Sequence, residues 1–332
     1  MTTLLGSLFV FVLIIALHEF GHFAVAKAVG IRVNEYAIGM GPLLLKKQTE
    51  ETQYSLRALP IGGYVAMEGE EEASDDPRSF NNASLWKRAA VIVSGAGMNF
   101  VLAVVAFTLF LIITGYPTRT VKTVLPGSPA AKAGIQAGDE IRFVDGKKVA
   151  DWDDFSKTVA ASEEEITIGV ERKGTSKSIR VTPVRKEGRS IVGIQPSNEK
   201  HPVRAIGDGI SMTGKVIVTI FDVLGKLFTG NLGVDNLSGP VGVVKIIGDS
   251  ARYGFGSLLF ITAYISANLG FMNLLPIPAL DGGKLVFLLI EGVTGKPVNA
   301  RVEQGLSVAS FVLLFSLMIY VTIFGDIARF FH

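Results

Sequence analysis

The chain contains no cysteine. Disulfides, thiolate-ligated zinc and a cysteine nucleophile are therefore excluded. Charge is scarce too: 19% of the 332 residues are Asp, Glu, Lys or Arg, and the net charge is +2. No basic field exists to draw nucleic acid, so it is not an expected partner. Histidine occurs only at His18, His22, His201 and His332. A metal site would have to be built from these few imidazoles and from carboxylates. What the chain has instead is apolar surface, 48% hydrophobic residues and a mean hydropathy of +0.42. That excludes a disordered chain and argues against an ordinary soluble enzyme.

The scarcity of charge is uneven. Of 32 Lys+Arg and 30 Asp+Glu, 28 lie between Tyr116 and Arg204. Other stretches are nearly free of charge. Four of them approach or exceed the length needed to span a bilayer: Met1 to Leu17, resuming from Phe20 to Ala26; Ala89 to Gly115; Tyr253 to Leu280; and Gln304 to Gly325. A fifth, Ser211 to Gly230, is interrupted by Lys215, Asp222 and Lys226 and reads as an amphipathic helix at the membrane interface. The N-terminus has no Lys or Arg before Lys27, and His18-Glu19 interrupts its apolar run. It reads as a retained helix and not as a cleaved signal peptide. Residues 1–115 and 205–332 are expected to form two halves of a membrane domain around a charged insert, 116–204. Eight Lys/Arg between Lys27 and Arg88, and Lys284, Lys296 and Arg301 after Asp281, place those loops in the cytoplasm. The N-terminus and the charged insert are then extracytoplasmic.

The first apolar segment contains His18-Glu19-Phe20-Gly21-His22. Histidines at i and i+4 share one helical face and can bind one cation, with the intervening glutamate placed to take a proton from a metal-bound water. Ionisable groups within a bilayer are costly and usually functional, and three occur here within five residues. A catalytic zinc takes three protein ligands and keeps one open position. No third histidine lies in an apolar segment, which leaves Asp222, Asp281, Glu291, Glu303 and Asp326 as candidates. Asp222 belongs to the interfacial helix. Glu303 and Asp326 read as ordinary end charges of the last span, and Glu291 has no special setting. Asp281 follows Asn273-Leu274-Leu275-Pro276-Ile277-Pro278-Ala279-Leu280. Two prolines break a helix there, and broken backbone at membrane depth is tolerated where it is buried or lines a polar cavity.

These two motifs together resemble the site-2 protease family of intramembrane zinc metalloproteases, and most of all the bacterial regulator-of-sigma-E proteases. The resemblance extends over nearly the whole chain. It implies that His18, His22 and Asp281 bind one Zn2+, that Glu19 is the catalytic base, and that Asn273, Pro276 and Pro278 border the substrate. It implies a multi-pass protein of the bacterial cytoplasmic (inner) membrane, in contact with membrane lipid. Its substrates would be transmembrane segments of already trimmed membrane proteins, such as anti-sigma factors or remnant signal peptides, cut in regulated intramembrane proteolysis. One motif departs: relatives often read Gly-Pro-x-x-Asn-Phe in the second span, and here Ala96 stands where proline is usual, in Gly95-Ala96-Gly97-Met98-Asn99-Phe100.

A helical substrate must be unwound and held extended before it can be cut. Residues 31–68 contain short extended runs with turns at Ile38–Pro42 and Pro60–Gly63. They resemble the family's membrane-associated β-sheet, whose open edge, with Gly62, Gly63 and Tyr64, would pair with substrate backbone. The run from Pro126 to Ile141 resembles the PDZ signature of bacterial proteases, with strands near Ile166–Arg172, Ser178–Pro183 and Ile191–Ile194. Val192-Gly193-Ile194 resembles the loop that captures a peptide C-terminus. The fold expected is a polytopic α-helical membrane protein, with four transmembrane helices and a membrane-associated β-sheet, carrying an inserted β-rich PDZ domain. Two rival functions are a non-enzymatic scaffold that binds peptide tails and a metal transporter. The first makes the histidine–carboxylate constellation accidental; the second expects several intramembrane sites, and one is visible.

Overall fold

A computed structural model describes residues 2–70, 72, 74–186, 188–231, 233 and 237–328. It divides into two compact units, Met1–Phe110 with Val203–His332, and Leu111–Pro202.

In the first unit, helix α1 (Thr2–Ala28) is followed by two long strands, β1 (Val33–Gln48) and β2 (Gln53–Met67), and by helix α2 (Leu85–Thr114), whose last residues belong to the second unit. Helices α5 (Pro202–Phe228), α6 (Pro240–Tyr253), α7 (Phe255–Asn273), α8 (Asp281–Thr294) and α9 (Ala300–Tyr320) complete it; labels α3, α4 and β3–β10 fall in the second unit. Beyond α9 a π-helical stretch runs over Val321–Ile327. Among the described residues, four helices are long and apolar enough to cross a membrane: Thr3–Ala28, Leu85–Thr114, Phe255–Asn273 and Ala300–Ile327. The protein is thus a polytopic helical membrane protein with an inserted β-rich unit. The third span is shorter than the uncharged sequence suggests. Gly254 separates α6 from α7, and α7 stops at Asn273, before the two prolines.

Apolar side chains both hold these helices together and cover them. Ala103, Ala106 and Phe107 of α2 pack with Val216 and Ile220 of α5 and with Leu259, Ala263, Ala267 and Phe271 of α7. Val10 and Ile14 of α1 meet Leu102 and Ile247. Outward faces stay apolar: Phe311, Val312 and Leu313 on α9 are all more than half exposed. A surface of that kind suits hydrocarbon, where the backbone must be paired within each helix. The segment expected as an interfacial helix is longer than the sequence suggests, since α5 begins at Pro202. Two ion pairs run along its own axis, Arg204 with Asp208 and Lys226 with Asp222, while Ala205, Gly209, Thr213, Val216 and Ile220 are buried.

β1 and β2 form a bent antiparallel hairpin. The expected turns are bends inside it, at Gly39, Gly41 and Gly62, all with φ near +80°. Because of these bends one residue meets the partner strand twice: Tyr36 faces both Val65 and Tyr54, and Ala37 both Tyr64 and Ser55. The run from Gly62 to Met67 is left as an edge. Tyr36 donates its hydroxyl hydrogen to the Ala16 carbonyl at 2.9 Å, and the rings of Phe23, Tyr36 and Tyr54 meet in tilted and edge-on contacts, which fastens the hairpin to α1. Glu35 accepts hydrogen bonds from Ser55 and Arg57. Burial would raise its carboxyl, but the bonds to Ser55, Tyr64 and Arg57 pull it down to about 2.

The second unit holds a sheet in the order β10 (Ile194–Glu199), β3 (Tyr116–Val124), β4 (Glu140–Val144), β6 (Ile166–Arg172), β7 (Thr175–Val181), with β5 (Lys147–Lys148) beside β4. Helices α3 (Pro129–Ala133) and α4 (Trp152–Ala161) and a small hairpin, β8 (Val184–Lys186) and β9 (Arg189–Ile191), complete it. Val121, Ile141, Ile168, Val170, Phe155 and Val192 fill its core. Ser128 caps α3, and its oxygen accepts from Ala131 N–H. Asp139, fully buried, accepts two hydrogen bonds from Arg172 and one from Gln136 N–H; against the upward push of burial, these hold its carboxyl below the usual range.

Candidate metal centre

Three side chains from two distant stretches converge. His18 Nε2 and His22 Nε2 lie 3.3 Å apart, one helical turn from each other on α1. Asp281 Oδ2, from the first residue of α8, lies 3.3 Å from His18 Nε2 and 3.4 Å from His22 Nε2. Among the described residues this is the one His/Asp/Glu group placed to hold a metal ion. Zinc bound at about 2.0–2.1 Å in a tetrahedron separates its ligand atoms by about 3.3 Å, which matches all three edges. Asp281 Oδ2 is buried and has no hydrogen-bond partner. A lone pair hidden from water and unmet by any donor is costly, unless a cation faces it. The donor set therefore fits zinc.

Asp281 reaches the centre because the chain before it is not helical. Past Asn273, Pro276 and Pro278 lack backbone donors, and Leu275, Ile277 and Leu280 N–H close short turns instead. Ser307 Oγ of α9 donates to the Pro278 carbonyl at 3.0 Å. α8 then starts at Asp281, followed by Gly282 and Gly283. A Cβ on Gly282 would collide with the carbonyls of Leu274 and Leu275, and one on Gly283 with Ile277 and Pro278 backbone. Only glycine allows the loop to fold this tightly over the helix start.

α2 lies across the two imidazoles. A Cβ on Gly95 would come within 2.5 Å of His22 Cε1 and 2.8 Å of His18 Cε1. A Cβ on Gly21 would press on the Ser94 carbonyl and sit 3.0 Å from Met98 Cβ. His22 Nδ1 lies 2.8 Å from the Val91 carbonyl, to which it can only donate, leaving Nε2 as the free lone pair. His18 Nδ1 lies 3.2 Å from the side-chain amide of Asn99.

A cavity of about 1300 Å³ opens beside these groups. His18, Glu19, His22 and Asp281 line one part of it, with Tyr64 to Met67 of the β2 edge; Glu68, Glu70, Arg88, Lys284 and Glu291 line another. Glu19 sits under that edge, since a Cβ on Gly63 would lie 3.1 Å from Glu19 Cγ. Tyr64 accepts from Arg57 Nη2 at 2.6 Å and lies under its guanidinium. Asn273, Pro276, Pro278, Gly62 and Gly63 are not among the lining residues. The first three shape the segment that delivers Asp281, and the glycines shape the strand edge.

The other acidic candidates lie outside the His18, His22 and Asp281 cluster, although Glu291 and Glu303 line the same cavity. Asp222 is exposed on α5 and paired with Lys226. Asp326 is not an ordinary end charge: it is 3% exposed and accepts from Gly239 and Gly242 N–H at the start of α6. Glu291 does have a special setting. It takes both Arg88 Nη groups, at 2.5 and 3.1 Å, and Arg88 is 8% exposed. Lys284 donates to Glu70 at 2.8 Å; burial would lower its ammonium, but the Glu70 carboxylate leaves it raised. His201 is exposed beside Glu199, and His332 lies outside the described residues. Gly95, Val91 and Asn99 had no part in the expected site. Asn99, a lone amide in an uncharged span, was the available signal.

In the second unit, Val192 is buried and its carbonyl accepts from Ala130 N–H, while the Gly193 carbonyl accepts from Leu125 N–H and Ser128 Oγ. Gly193 has φ +81°, and Ile194 opens β10, which pairs with β3 on one side and is the edge of its sheet.

The chain matches the family model described as Peptidase family M50 over residues 6–317. A Clostridium acetobutylicum protein carrying a zinc metalloprotease name is 42% identical over 322 residues, covering 96% of this chain and 95% of its own. Relatives with the same kind of name are 39% identical in Clostridium perfringens and 33% in Fusobacterium nucleatum, each covering 96% of this chain and at least 96% of its own. Among solved structures, the PDZ domain of the SdrC-like protein from Listeria innocua is 22% identical over 25% of this chain and 98% of its own, with a TM-score of 0.23.

Proposed function

The chain belongs to peptidase family M50, the site-2 proteases, and is a zinc metallopeptidase of the membrane; from that premise we propose that it hydrolyses transmembrane segments with His18, His22 and Asp281 as zinc ligands and Glu19 as general base. The observation that carries the assignment is the triangle of ligand atoms with 3.3–3.4 Å edges around an otherwise unpartnered Asp281 oxygen. When bound, zinc supplies the Lewis acidity that activates water and polarises a carbonyl. The Glu19 carboxylate takes the proton of the attacking water and returns it to the leaving amine nitrogen. The edge at Gly62, Gly63 and Tyr64 holds an unwound substrate segment by backbone pairing beside Glu19. Asn273, Pro276 and Pro278 border that segment.

The substrates are membrane proteins already trimmed outside, of the anti-sigma-factor or remnant-signal-peptide kind, in regulated intramembrane proteolysis. The enzyme sits in the bacterial inner membrane with its N-terminus outside. The insert, bounded near 116–204, is an extracytoplasmic PDZ domain; its signature run and the edge position of β10 after Val192-Gly193 support that reading. It takes peptide C-termini or excludes bulky substrates. Purified Glu19→Gln protein is expected to bind one zinc and to leave a helical membrane substrate intact. Cleavage by that variant at the wild-type rate would overturn the assignment.

A further inference from the structure

A histidine that binds metal through Nε2 keeps its proton on Nδ1, and that proton needs an acceptor. For His22 the acceptor is the Val91 carbonyl at 2.8 Å. For His18 the neighbour at that position is the Asn99 side chain, whose amide nitrogen lies 3.2 Å from His18 Nδ1. Two donors cannot face each other there. With the amide NH2 toward the ring, His18 must accept at Nδ1 and carry its proton on Nε2, where no metal could then bind. The other end of the same amide reads the opposite way: Asn99 Oδ1 is buried and no donor reaches it. A half-turn about the Cβ–Cγ bond exchanges the two ends, which have nearly the same shape. The oxygen then meets the His18 N–H, and the NH2 moves to a place where no donor was offered.

We propose that Asn99 is the positioning residue of the metal centre: its side-chain oxygen accepts the His18 Nδ1 proton and so presents the Nε2 lone pair to the metal. The inference rests on the zinc reading above. Asn99 is well held for this task. It is fully buried on α2, and its backbone carbonyl accepts from Ser266 Oγ of α7 at 2.8 Å, a hydroxyl that is itself fully buried. α7 closes on it at Gly270, where a Cβ would lie 3.2 Å from Asn99 Cβ. The amide can turn about its own bond, but its carrier cannot move away. The i, i+4 histidines are thus oriented from outside by two acceptors of α2, one backbone and one side chain, eight positions apart in sequence.

Zinc affinity, read independently of proteolysis, tests this. The full-length protein in detergent is stripped with a chelator and titrated with Zn2+ against a competing dye. Asn99→Leu, which keeps size and removes the acceptor, should lose about 10–100-fold in affinity. Asn99→Asp, which restores an acceptor, should bind at least as tightly as wild type, and the metal-free melting temperatures show whether each variant is folded. Wild-type affinity in Asn99→Leu, or a loss in folded Asn99→Asp equal to that in Asn99→Leu, would overturn the proposal. Should Asn99→Leu fail to fold, the 15N spectrum of His18 in the zinc-loaded wild type decides: a proton on Nδ1 supports the proposal, and one on Nε2 overturns it. Wild-type protein that takes up no more zinc than His22→Ala overturns the zinc reading itself, and this inference with it.

Discussion

Gly95→Ala adds one methyl group to a helix that contributes no metal ligand, and it should empty the metal centre. A Cβ there would lie 2.5 Å from His22 Cε1 and 2.8 Å from His18 Cε1, and closer still to His22 Nε2. Carbon atoms in ordinary contact are about 3.5 Å apart, so the rings or the helix must give by roughly 1 Å. Overpacking of that size costs about 1–3 kcal/mol. A folded protein can absorb it, but a zinc site accepts errors of only about 0.2 Å in its bond lengths. The expected result is a folded variant with modestly lowered thermal stability and little bound zinc. Metal analysis of the purified protein and thermal unfolding in the same detergent measure both quantities. One equivalent of zinc held with wild-type affinity would refute the reasoning, and so would complete loss of the fold.

Two further expectations concern groups outside the metal centre. Glu291→Ala strands the Arg88 guanidinium, which is 8% exposed; loss of about 3–5 kcal/mol is expected, whereas the double change Arg88→Met with Glu291→Leu should be near neutral, as thermal unfolding would measure. The Glu35 carboxyl is held at about 2 against an ordinary value of 4.5. A depressed folded value means its stabilisation is full above the ordinary value and is lost as pH falls through the folded one. Amide protection of the β1–β2 hairpin, measured relative to intrinsic exchange at each pH, should therefore fall between about pH 4.5 and 2, and Glu35→Gln should flatten that change; an unchanged slope in the variant would count against the network.

How much of this was legible beforehand differs by element. The four spans were, because a bilayer imposes a length and an apolar composition on each of them, and both are local properties. Span ends were less so: α7 stops at Asn273 because Pro276 and Pro278 lack donors, while the uncharged run continues to Leu280. α6 went unanticipated, being short and bearing Lys245, Asp249 and Arg252. Among the carboxylates, the histidine spacing and the broken helix before Asp281 singled out a partner from sequence. Glu291 and Asp326 looked unremarkable because their partners, Arg88 and the Gly239 and Gly242 amides, are 203, 87 and 84 residues away. No window along the chain contains both members of such a pair.

By itself, then, the sequence determined the membrane class, the absence of thiol chemistry, and the two motifs that hold every strong candidate for chemistry. These follow from composition and from spacings within one helix or one loop, where neighbours in sequence are neighbours in space. The tertiary structure alone decided that Asp281 meets both imidazoles at 3.3–3.4 Å, that Gly95 lies close against His22 Nε2 and Cε1 and His18 Cε1, and that the β2 edge runs over Glu19. Those are contacts across tens to hundreds of residues. They depend on how helices dock side by side, which is set by small residues and buried polar pairs whose partners are invisible until the chain is folded.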